Sequence, residues 1–223
     1  EGNLHEALRH SMGEYVMVAG DDDYVVDGAL YTMISHIYRH RRCSLFFVTQ
    51  GTADMKFLSY EGEGAADYIE KNGFYVTFIS SIVMKRDLYK NIDNPEKYND
   101  TLLPQLYLQM EMLKQEPSFS VLGLHWWETA EDRSPKGYNL IEVFVKNYFD
   151  ILTATVALPP ALLSLEKKRV MERLVYPRCY LIKHGKLHLS LDGIFEIIRA
   201  YYSEEPYYPE VVAKLKEILG EGD

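Results

Sequence analysis

Three consecutive carboxylates, Asp21, Asp22 and Asp23, are the residues of this chain best suited to chemistry. They directly follow the apolar run from Tyr15 to Ala19, which predicts a buried strand. The cluster is therefore expected just past the carboxyl end of a strand, where ligands bind in open α/β sheets. Adjacent carboxylates repel one another at low dielectric, and a bound Mg²⁺ or Mn²⁺ would remove that cost through oxygen coordination. The alternative interpretation is a solvated acidic loop before a helix.

The residues after the cluster predict an amphipathic helix over 28–39. Asp27 precedes this helix and is a residue type that caps helix amino termini. The helix ends in Arg39-His40-Arg41-Arg42, and cations at this end complement the helix dipole. Contact with a phosphate or a lipid headgroup is the alternative role for these cations.

Two serines, Ser80 and Ser81, interrupt the apolar run from Tyr75 to Met84, which we predict to be extended. Polar groups in such a run either bond to the backbone or face a pocket. Arg86 comes just after the run. One role for Arg86 is a salt bridge at the end of a strand. The other is contact with a diphosphate, which a guanidinium binds through two parallel hydrogen bonds.

Adjacent tryptophans, Trp126 and Trp127, follow a strand predicted at Phe119 to Leu122. Tryptophans are costly to expose, so packing in the core is the default role for this pair. A platform on which a sugar ring stacks is the alternative, and Trp127 is our candidate for it.

The remaining elements complete an α/β pattern. They are helices at 3–12, 65–71 and 101–114, strands at 44–49 and 55–59, and a loop at 61–64. From Leu140 the apolar residues repeat at helical spacing, which predicts helices at 140–158, 161–176, 190–202 and 210–219. The predicted fold class is therefore α/β. A mixed sheet with flanking helices occupies residues 1–139, and an all-helical extension occupies residues 140–223.

Charge and composition exclude several functional classes. A net charge of −9 over 223 residues argues against a general nucleic-acid-binding protein, whose phosphate contacts need Lys and Arg. The two cysteines, Cys43 and Cys179, define neither a disulfide framework nor a zinc spacing, which favours a reducing compartment. Since no apolar run reaches roughly 18 residues, we expect no membrane-spanning helix, and no signal peptide is expected either.

One stretch of this acidic chain is basic. Its seven cations are Lys167, Lys168, Arg169, Arg173, Arg178, Lys183 and Lys186. Solvated helix faces explain such a run. The alternative is a surface that attracts anionic lipid, at about 1 kcal/mol for each cation near the bilayer.

Several motifs, in this order and spacing, resemble the middle of a family 2 glycosyltransferase with the GT-A fold. They are Asn3-x-x-x-Ala7-Leu8, Ser11-x-Gly13-Glu14-Tyr15-Val16, Asp21-Asp22-Asp23, Asp27-Gly28-Ala29-Leu30 and Phe78-Ile79-Ser80-Ser81-Ile82-Val83-Met84-Lys85-Arg86. They are most similar to the bacterial surface-polysaccharide branch that includes abequosyltransferase-like enzymes. The resemblance implies that residues 1–139 are the later part of a Rossmann-like GT-A catalytic domain. The first half of its nucleotide-binding sheet would then lie upstream of this chain.

The resemblance also implies an activity and a set of ligands. The expected reaction is an inverting, metal-dependent transfer of a sugar from a nucleotide-diphosphate sugar to a saccharide or lipid-linked saccharide acceptor. Asp23 would contact the divalent cation, Mg²⁺ or Mn²⁺, while Asp21 and Asp22 would hold the ribose, the sugar or metal-bound water. Ser80 and Ser81 would line the donor-sugar site.

Further roles follow from the same resemblance. Asn3 would lie near the nucleotide, with a helix N-cap as its alternative role, and Arg86 would assist the leaving diphosphate. An inverting transfer needs a general base for the acceptor hydroxyl. No clear acidic pair stands where the family has one, so Asp100 is our candidate, followed by Glu111 and Glu128. The Gln-x-x-Arg-Trp signature of processive members is absent from the sequence, which favours transfer of a single sugar.

Such an enzyme would be cytoplasmic, and its basic tail would contact the cytoplasmic face of a membrane. Two rival functions stay open. One is a non-catalytic interaction module whose acidic loop caps a helix. The other is a different metal-dependent enzyme acting on phosphate esters, which would need further His and Asp ligands that the sequence does not group together.

Overall fold

The computed structural model describes residues 2–20, 22–50, 59–129 and 136–220. The chain divides into two compact units, Glu1–Asp132 and Arg133–Asp223. The first unit is mixed α/β and the second is mainly helical, so the predicted fold class is confirmed.

The elements of the first unit alternate between helices and short strands. In chain order they are α1 (Gly2–His10), β1 (Tyr15–Met17), β2 (Asp23–Val25), α2 (Ala29–Arg39), β3 (Leu45–Gln50), β4 (Ser59–Glu63), α3 (Gly64–Asn72), β5 (Ile82–Lys85), α4 (Arg86–Lys90), α5 (Pro104–Gln115), β6 (Ser118–Leu124) and β7 (Trp127–Thr129). Short 3₁₀ helices lie at Gly73–Thr77, Ile79–Ser81 and Asn99–Thr101.

Five of these strands form one mixed sheet in the order β1-β5-β3-β6-β4. The central strands β3 and β6 run parallel, and the other neighbouring strands run antiparallel. Strands β2 and β7 form a separate antiparallel ribbon. The residues from Leu45 to Val48 are all buried, which explains why this strand is continuously apolar and does not alternate.

The sheet register positions the acidic end of β1. Strands β1 and β5 are antiparallel, with Met17 opposite Val83, so the end of β1 lies beside the start of β5. Helix α2 covers the sheet through one face, where Ala29 and Met33 join a buried cluster with Phe46. The chain segments on both sides of the acidic cluster are therefore anchored to the core.

The second unit is helical with one short pair of strands. Its elements are β8 (Lys136–Asn139), a π-helical segment (Glu142–Asn147), α6 (Tyr148–Thr155), α7 (Pro160–Val170), a second π-helical segment (Met171–Val175), α8 (Tyr176–Lys183), β9 (His188–Ser190), α9 (Ile194–Tyr202) and α10 (Tyr208–Leu219). The parallel pairing of β8 with β9 was not predicted. Across the described residues, no helix has both the length and the apolar character needed to cross a bilayer.

Part of the basic stretch serves the interior of this unit. The Arg169 guanidinium donates to Oε2 of the fully buried Glu166 at 2.8 Å, and Tyr148 OH donates to Glu166 Oε1 at 2.9 Å. Lys167 Nζ lies 2.8 Å from Glu205 Oε1, with both side chains largely buried. Because buried carboxylates need such partners, these two cations stabilise the fold and are not available to a lipid surface.

Two local predictions for the first unit are wrong. The glycine-containing segment 61–64 was predicted as a loop, but Glu61 to Glu63 belong to β4. A methyl group at Gly62 would lie 2.3 Å from the ring of Phe119, so this glycine permits close packing in a strand. The segment 75–84 is mostly 3₁₀ helix before β5 begins. The strand predicted at 55–59 falls largely outside the described residues.

A buried histidine links α2 to the sheet. His36 Nε2 lies 2.8 Å from Ser120 Oγ, and the rings of His36 and His40 are 4.3 Å apart. Burial lowers the pKa of His36 from its ordinary value of 6.5 to about 4. The neighbouring His40 and Arg39 contribute to this lowering of the pKa, and Glu61 opposes them.

Acidification should therefore destabilise the fold through His36. The unfolded chain takes up the proton near pH 6.5, whereas the folded chain takes it up only near pH 4. The contribution of His36 is fully present above pH 6.5 and is lost as the pH falls toward 4. We expect His36→Gln to flatten the decline of the melting temperature over this range, as measured by thermal unfolding followed by circular dichroism. His10→Gln is the control, because its side chain is exposed. An equal flattening in both variants would contradict this role for His36.

Candidate functional site

Two carboxylates converge where the chain leaves β1. A turn follows this strand, in which the Asp23 N–H donates to the Gly20 carbonyl at 3.3 Å. A methyl group at Gly20 would lie 2.9 Å from Asp23 Oδ2 and 3.0 Å from Asp22 Oδ1. Since Gly20 has no side chain, Asp22 and Asp23 can both occupy this place without a clash.

Ser80 holds one of these carboxylates. Its hydroxyl donates to Asp23 Oδ2 at 2.6 Å and accepts from the Gly20 N–H at 2.8 Å. Ser80 is buried in the 3₁₀ helix that leads into β5. The antiparallel register of β1 and β5 brings this helix beside the acidic turn, so one hydroxyl connects the two segments.

The paired tryptophans bond to the paired serines. Trp126 Nε1 donates to the Ser80 carbonyl at 2.9 Å, and Trp127 Nε1 donates to Ser81 Oγ at 3.3 Å. Trp126 is buried in the core, whereas Trp127 is partly exposed. Core packing therefore describes Trp126, and Trp127 keeps a surface that a ligand can reach.

The ribbon of β2 and β7 sets Trp127 on the same face as Asp23. Val25 lies opposite Trp127 in the register, and side chains two residues apart share a face. The ring of Phe78 stacks on Trp127, with ring centroids 4.2 Å apart and an angle of 28° between the planes. An aromatic pair therefore stands on the side of the ribbon that carries the Asp23 carboxylate.

Arg86 lies at the other end of β5. Its N–H donates to the Glu14 carbonyl at 2.9 Å, and its guanidinium donates to the Ser11 carbonyl at 2.9 Å. Arg86 is five residues beyond Ser81, and at about 3.3 Å per residue their Cα atoms are roughly 16 Å apart along the strand. The structure thus does not bring Arg86 to the two carboxylates. Its Nε is buried and has no hydrogen-bond partner within the described part of the chain.

The candidate bases lie in different places, with Asp100 and Glu128 exposed and Glu111 partly buried. Asp100 stands in a 3₁₀ turn whose Asn99 Oδ1 is 2.7 Å from His5 Nε2, which attaches the turn to α1. Glu128 lies opposite Tyr24 and therefore on the face of the β2–β7 ribbon that does not carry Asp23. Glu111 is paired with Lys114 on α5.

The described structure does not assign the two candidate residues Asp21 and Asn3 to the site. Asp21 falls outside the described residues. Asn3 lies within α1, which begins at Gly2, so the helix does not start at Asn3.

Three contributors to the site were not identified as such from the sequence. Gly20 makes room for the carboxylates, Phe78 stacks on Trp127, and Trp126 anchors Ser80. The first two have a visible signal in the sequence, since Gly20 directly precedes the acidic cluster and Phe78 opens the motif that runs from Phe78 to Arg86. The bond of Trp126 to Ser80 joins residues 46 positions apart, and no local pattern indicates it.

The donor set suits a divalent cation that shares its coordination with a ligand. Among the described residues, no group of three or more His, Cys, Asp or Glu side chains is arranged to hold a metal. Mg²⁺ is commonly bound through one or two carboxylates, with substrate phosphates and water completing its shell. Asp22 and Asp23, converging over Gly20, fit that mode and do not form a cage of protein ligands.

Comparison with known proteins supports the fold. No protein-family model and no curated protein matches the sequence. The chain is similar in structure to S. aureus TarS 1–349 in complex with UDP, at 14% identity and a TM-score of 0.50, over 96% of this chain and 67% of that one. TarS is a glycosyltransferase. The described fold is therefore glycosyltransferase-like.

Two further structures of TarS were matched. For TarS 1–349 the identity is 12% and the TM-score 0.47, over 95% of this chain and 66% of that one. For the longer TarS structure the values are 14% and 0.49, over 98% and 41%. The chain thus spans less than half of the longer TarS chain and about two thirds of the shorter one.

We expect Ser80→Ala to destabilise the protein by about 1–3 kcal/mol, because the mutation leaves the partly buried Gly20 N–H without its acceptor. The measurement is the free energy of unfolding from urea denaturation. Ser81→Ala is the matched control, because it removes one longer bond from Trp127, and a smaller loss is expected. A loss in Ser81→Ala as large as in Ser80→Ala would contradict the anchoring role of Ser80.

Proposed function

We propose that this chain is part of a glycosyltransferase that takes its sugar from a nucleotide-diphosphate donor. One observation carries the proposal. The carboxylates of Asp22 and Asp23 converge over Gly20, and the buried Ser80 holds Asp23 in place. The glycosyltransferase-like fold supports the reaction class, and the UDP in the similar TarS structure supports the donor class.

In this proposal the acidic turn holds a divalent cation, Mg²⁺ or Mn²⁺, together with the donor diphosphate. Asp23 makes the direct contact, and Asp21 and Asp22 hold the ribose, the sugar or bound water. When bound, such a cation acts as a Lewis acid that stabilises the charge of the leaving diphosphate. The chain's own part is orientation, because Ser80 fixes the Asp23 carboxylate before any ligand arrives.

Trp127 is the proposed contact for a sugar ring. Its partly exposed indole shares a face of the ribbon with Asp23 and is backed by Phe78. A flat apolar surface backed by a second ring suits the apolar face of a pyranose. Ser81 accepts the indole hydrogen bond at 3.3 Å and so helps to fix the position of this platform.

The proposed transfer is inverting, and Asp100 remains the candidate base. A base must come within hydrogen-bond reach of the acceptor hydroxyl. If an Asp100→Asn variant retained the pH–rate profile of the parent, Asp100 would not be the base. Arg86 is left out of the proposed site, because the whole length of β5 lies between it and Ser81 and separates their Cα atoms by roughly 16 Å. The proposed acceptor is a saccharide or a lipid-linked saccharide in bacterial surface-polysaccharide synthesis, on the cytoplasmic side.

Metal-linked donor binding tests the proposal. We expect the full-length protein that contains this chain to bind UDP and a panel of UDP-sugars more tightly with Mn²⁺ than with a chelator, as measured by calorimetric titration. Asp23→Asn removes the negative charge and keeps the shape of the side chain. It should weaken the Mn²⁺-dependent part of the donor affinity at least roughly tenfold, because contacts made by charged groups are stronger than those between neutral groups.

Asp27→Asn is the matched control, because Asp27 is an exposed aspartate just after the same ribbon strand. This variant should bind the donor with the same affinity and the same dependence on Mn²⁺ as the parent. If the parent and Asp23→Asn bound the donor equally well and without any effect of Mn²⁺, the enzymatic proposal would be overturned. That result would favour the interaction module, whose acidic loop has only a structural role.

A further inference from the structure

Helix α2 presents a continuous apolar stripe to solvent. Leu30, Tyr31, Ile34 and Tyr38 are 53%, 78%, 57% and 73% exposed, respectively. Their spacing of three and four residues aligns them along one side of the helix. Single exposed apolar residues are ordinary, whereas an aligned group of them indicates a contact surface.

The opposite side of the same helix is firmly packed. Ala29, Met33 and His36 are 4%, 1% and 4% exposed, respectively, and the Nε2 of His36 lies 2.8 Å from Ser120 Oγ. The stripe is therefore not an unpacked core face. It is a second apolar face on a helix whose other face is already packed against the sheet.

The charged residues of α2 and of the segment that follows it are all basic, and Glu61 pairs with two of them, His40 and Arg42. From Gly28 to Gln50 the sequence contains no Asp or Glu, although the whole chain contains 33 of them. Exposed Arg39, Arg41 and Arg42 stand at the carboxyl end of α2, and the Arg41 guanidinium lies over the ring of Tyr38 at 5.9 Å. Within the described residues no ion pair involves Arg39 or Arg41, so these two charges are available to a partner.

We propose that this α2 surface binds the headgroup region of an anionic bilayer. Leucine and isoleucine side chains enter the boundary of the acyl chains, tyrosines prefer the interface itself, and arginines attract anionic headgroups. The stripe and the three arginines supply each of these in one place. This inference does not depend on the proposed transferase chemistry.

A second copy of the chain is the competing occupant, and the surface suits it less well. A twofold contact with parallel helices would bring the arginines of the two copies together, which is repulsive, and a contact with antiparallel helices would depend on the area of the stripe alone. One helix stripe also offers much less than the roughly 1,200 Å² that stable interfaces bury in total.

The surface begins next to the candidate site. Tyr24 and Val25, the two residues after Asp23, are 63% and 39% exposed and lead directly into α2. A bilayer bound to this surface would therefore lie close to the acidic turn. A lipid-linked substrate would then reach the site while its lipid stays in the membrane.

Vesicle flotation tests the proposal with the chain as it stands. We expect the parent to bind phosphatidylglycerol-containing vesicles at low salt, to bind pure phosphatidylcholine vesicles far less, and to dissociate as salt screens the arginines. The double variant Arg39→Gln, Arg41→Gln should weaken the partition coefficient roughly thirtyfold, at about 1 kcal/mol per cation. Ile34→Asp should weaken it at least roughly tenfold.

Two matched controls separate this surface from other exposed residues. Leu165→Asp changes a leucine of similar exposure, 50%, in the second unit, and Lys168→Gln, Arg173→Gln removes two exposed charges of the basic tail. Both should bind like the parent. Equal losses in the controls, no preference for anionic vesicles, or a dimer in light scattering that Ile34→Asp dissociates would each overturn the proposal. Flotation needs no nucleotide sugar, so a failure here leaves the Mn²⁺-linked donor test unaffected.

Discussion

The candidate site depends on one buried hydroxyl. Ser80 donates to the Asp23 carboxylate and accepts from the Gly20 N–H, so it ties the acidic turn after β1 to the segment before β5. The two segments are 60 residues apart, and the antiparallel register of β1 and β5 brings them together. A carboxylate held in this way needs little reorganisation when a cation or a diphosphate arrives, which is the physical basis of preorganised electrostatic sites.

The position of the acidic cluster could be predicted because its signals are local. An apolar run of strand length ends in Asp21 to Asp23, and a helix pattern starts soon after, so the edge of a sheet was the natural place for the cluster. Strands at Leu45–Gln50 and Ser118–Leu124 and the helices at Ala29–Arg39 and Pro104–Gln115 were recognisable for the same reason. Each of these segments has an apolar periodicity or a residue composition that is typical of its own type of secondary structure.

The rest of the site depends on pairings that no local pattern encodes. The antiparallel ribbon that sets Val25 opposite Trp127 joins residues about 100 positions apart, and it decides that Trp127 shares a face with Asp23. Arg86 illustrates the opposite case. Its place at the end of the motif that contains Ser80 and Ser81 suggested a diphosphate contact, but each residue of a strand carries the next side chain about 3.3 Å further along. Distance along a strand therefore separates residues that are close in sequence.

The two tryptophans of the chain both donate hydrogen bonds to the serines of the candidate site. Indole emission responds to the polarity and hydrogen bonding around the ring, so the intrinsic fluorescence of this protein reports almost entirely on one small region. Trp126, buried in the core, provides a steady background, and the partly exposed Trp127 provides the responsive signal. The fold thus contains its own optical probe, which needs no label.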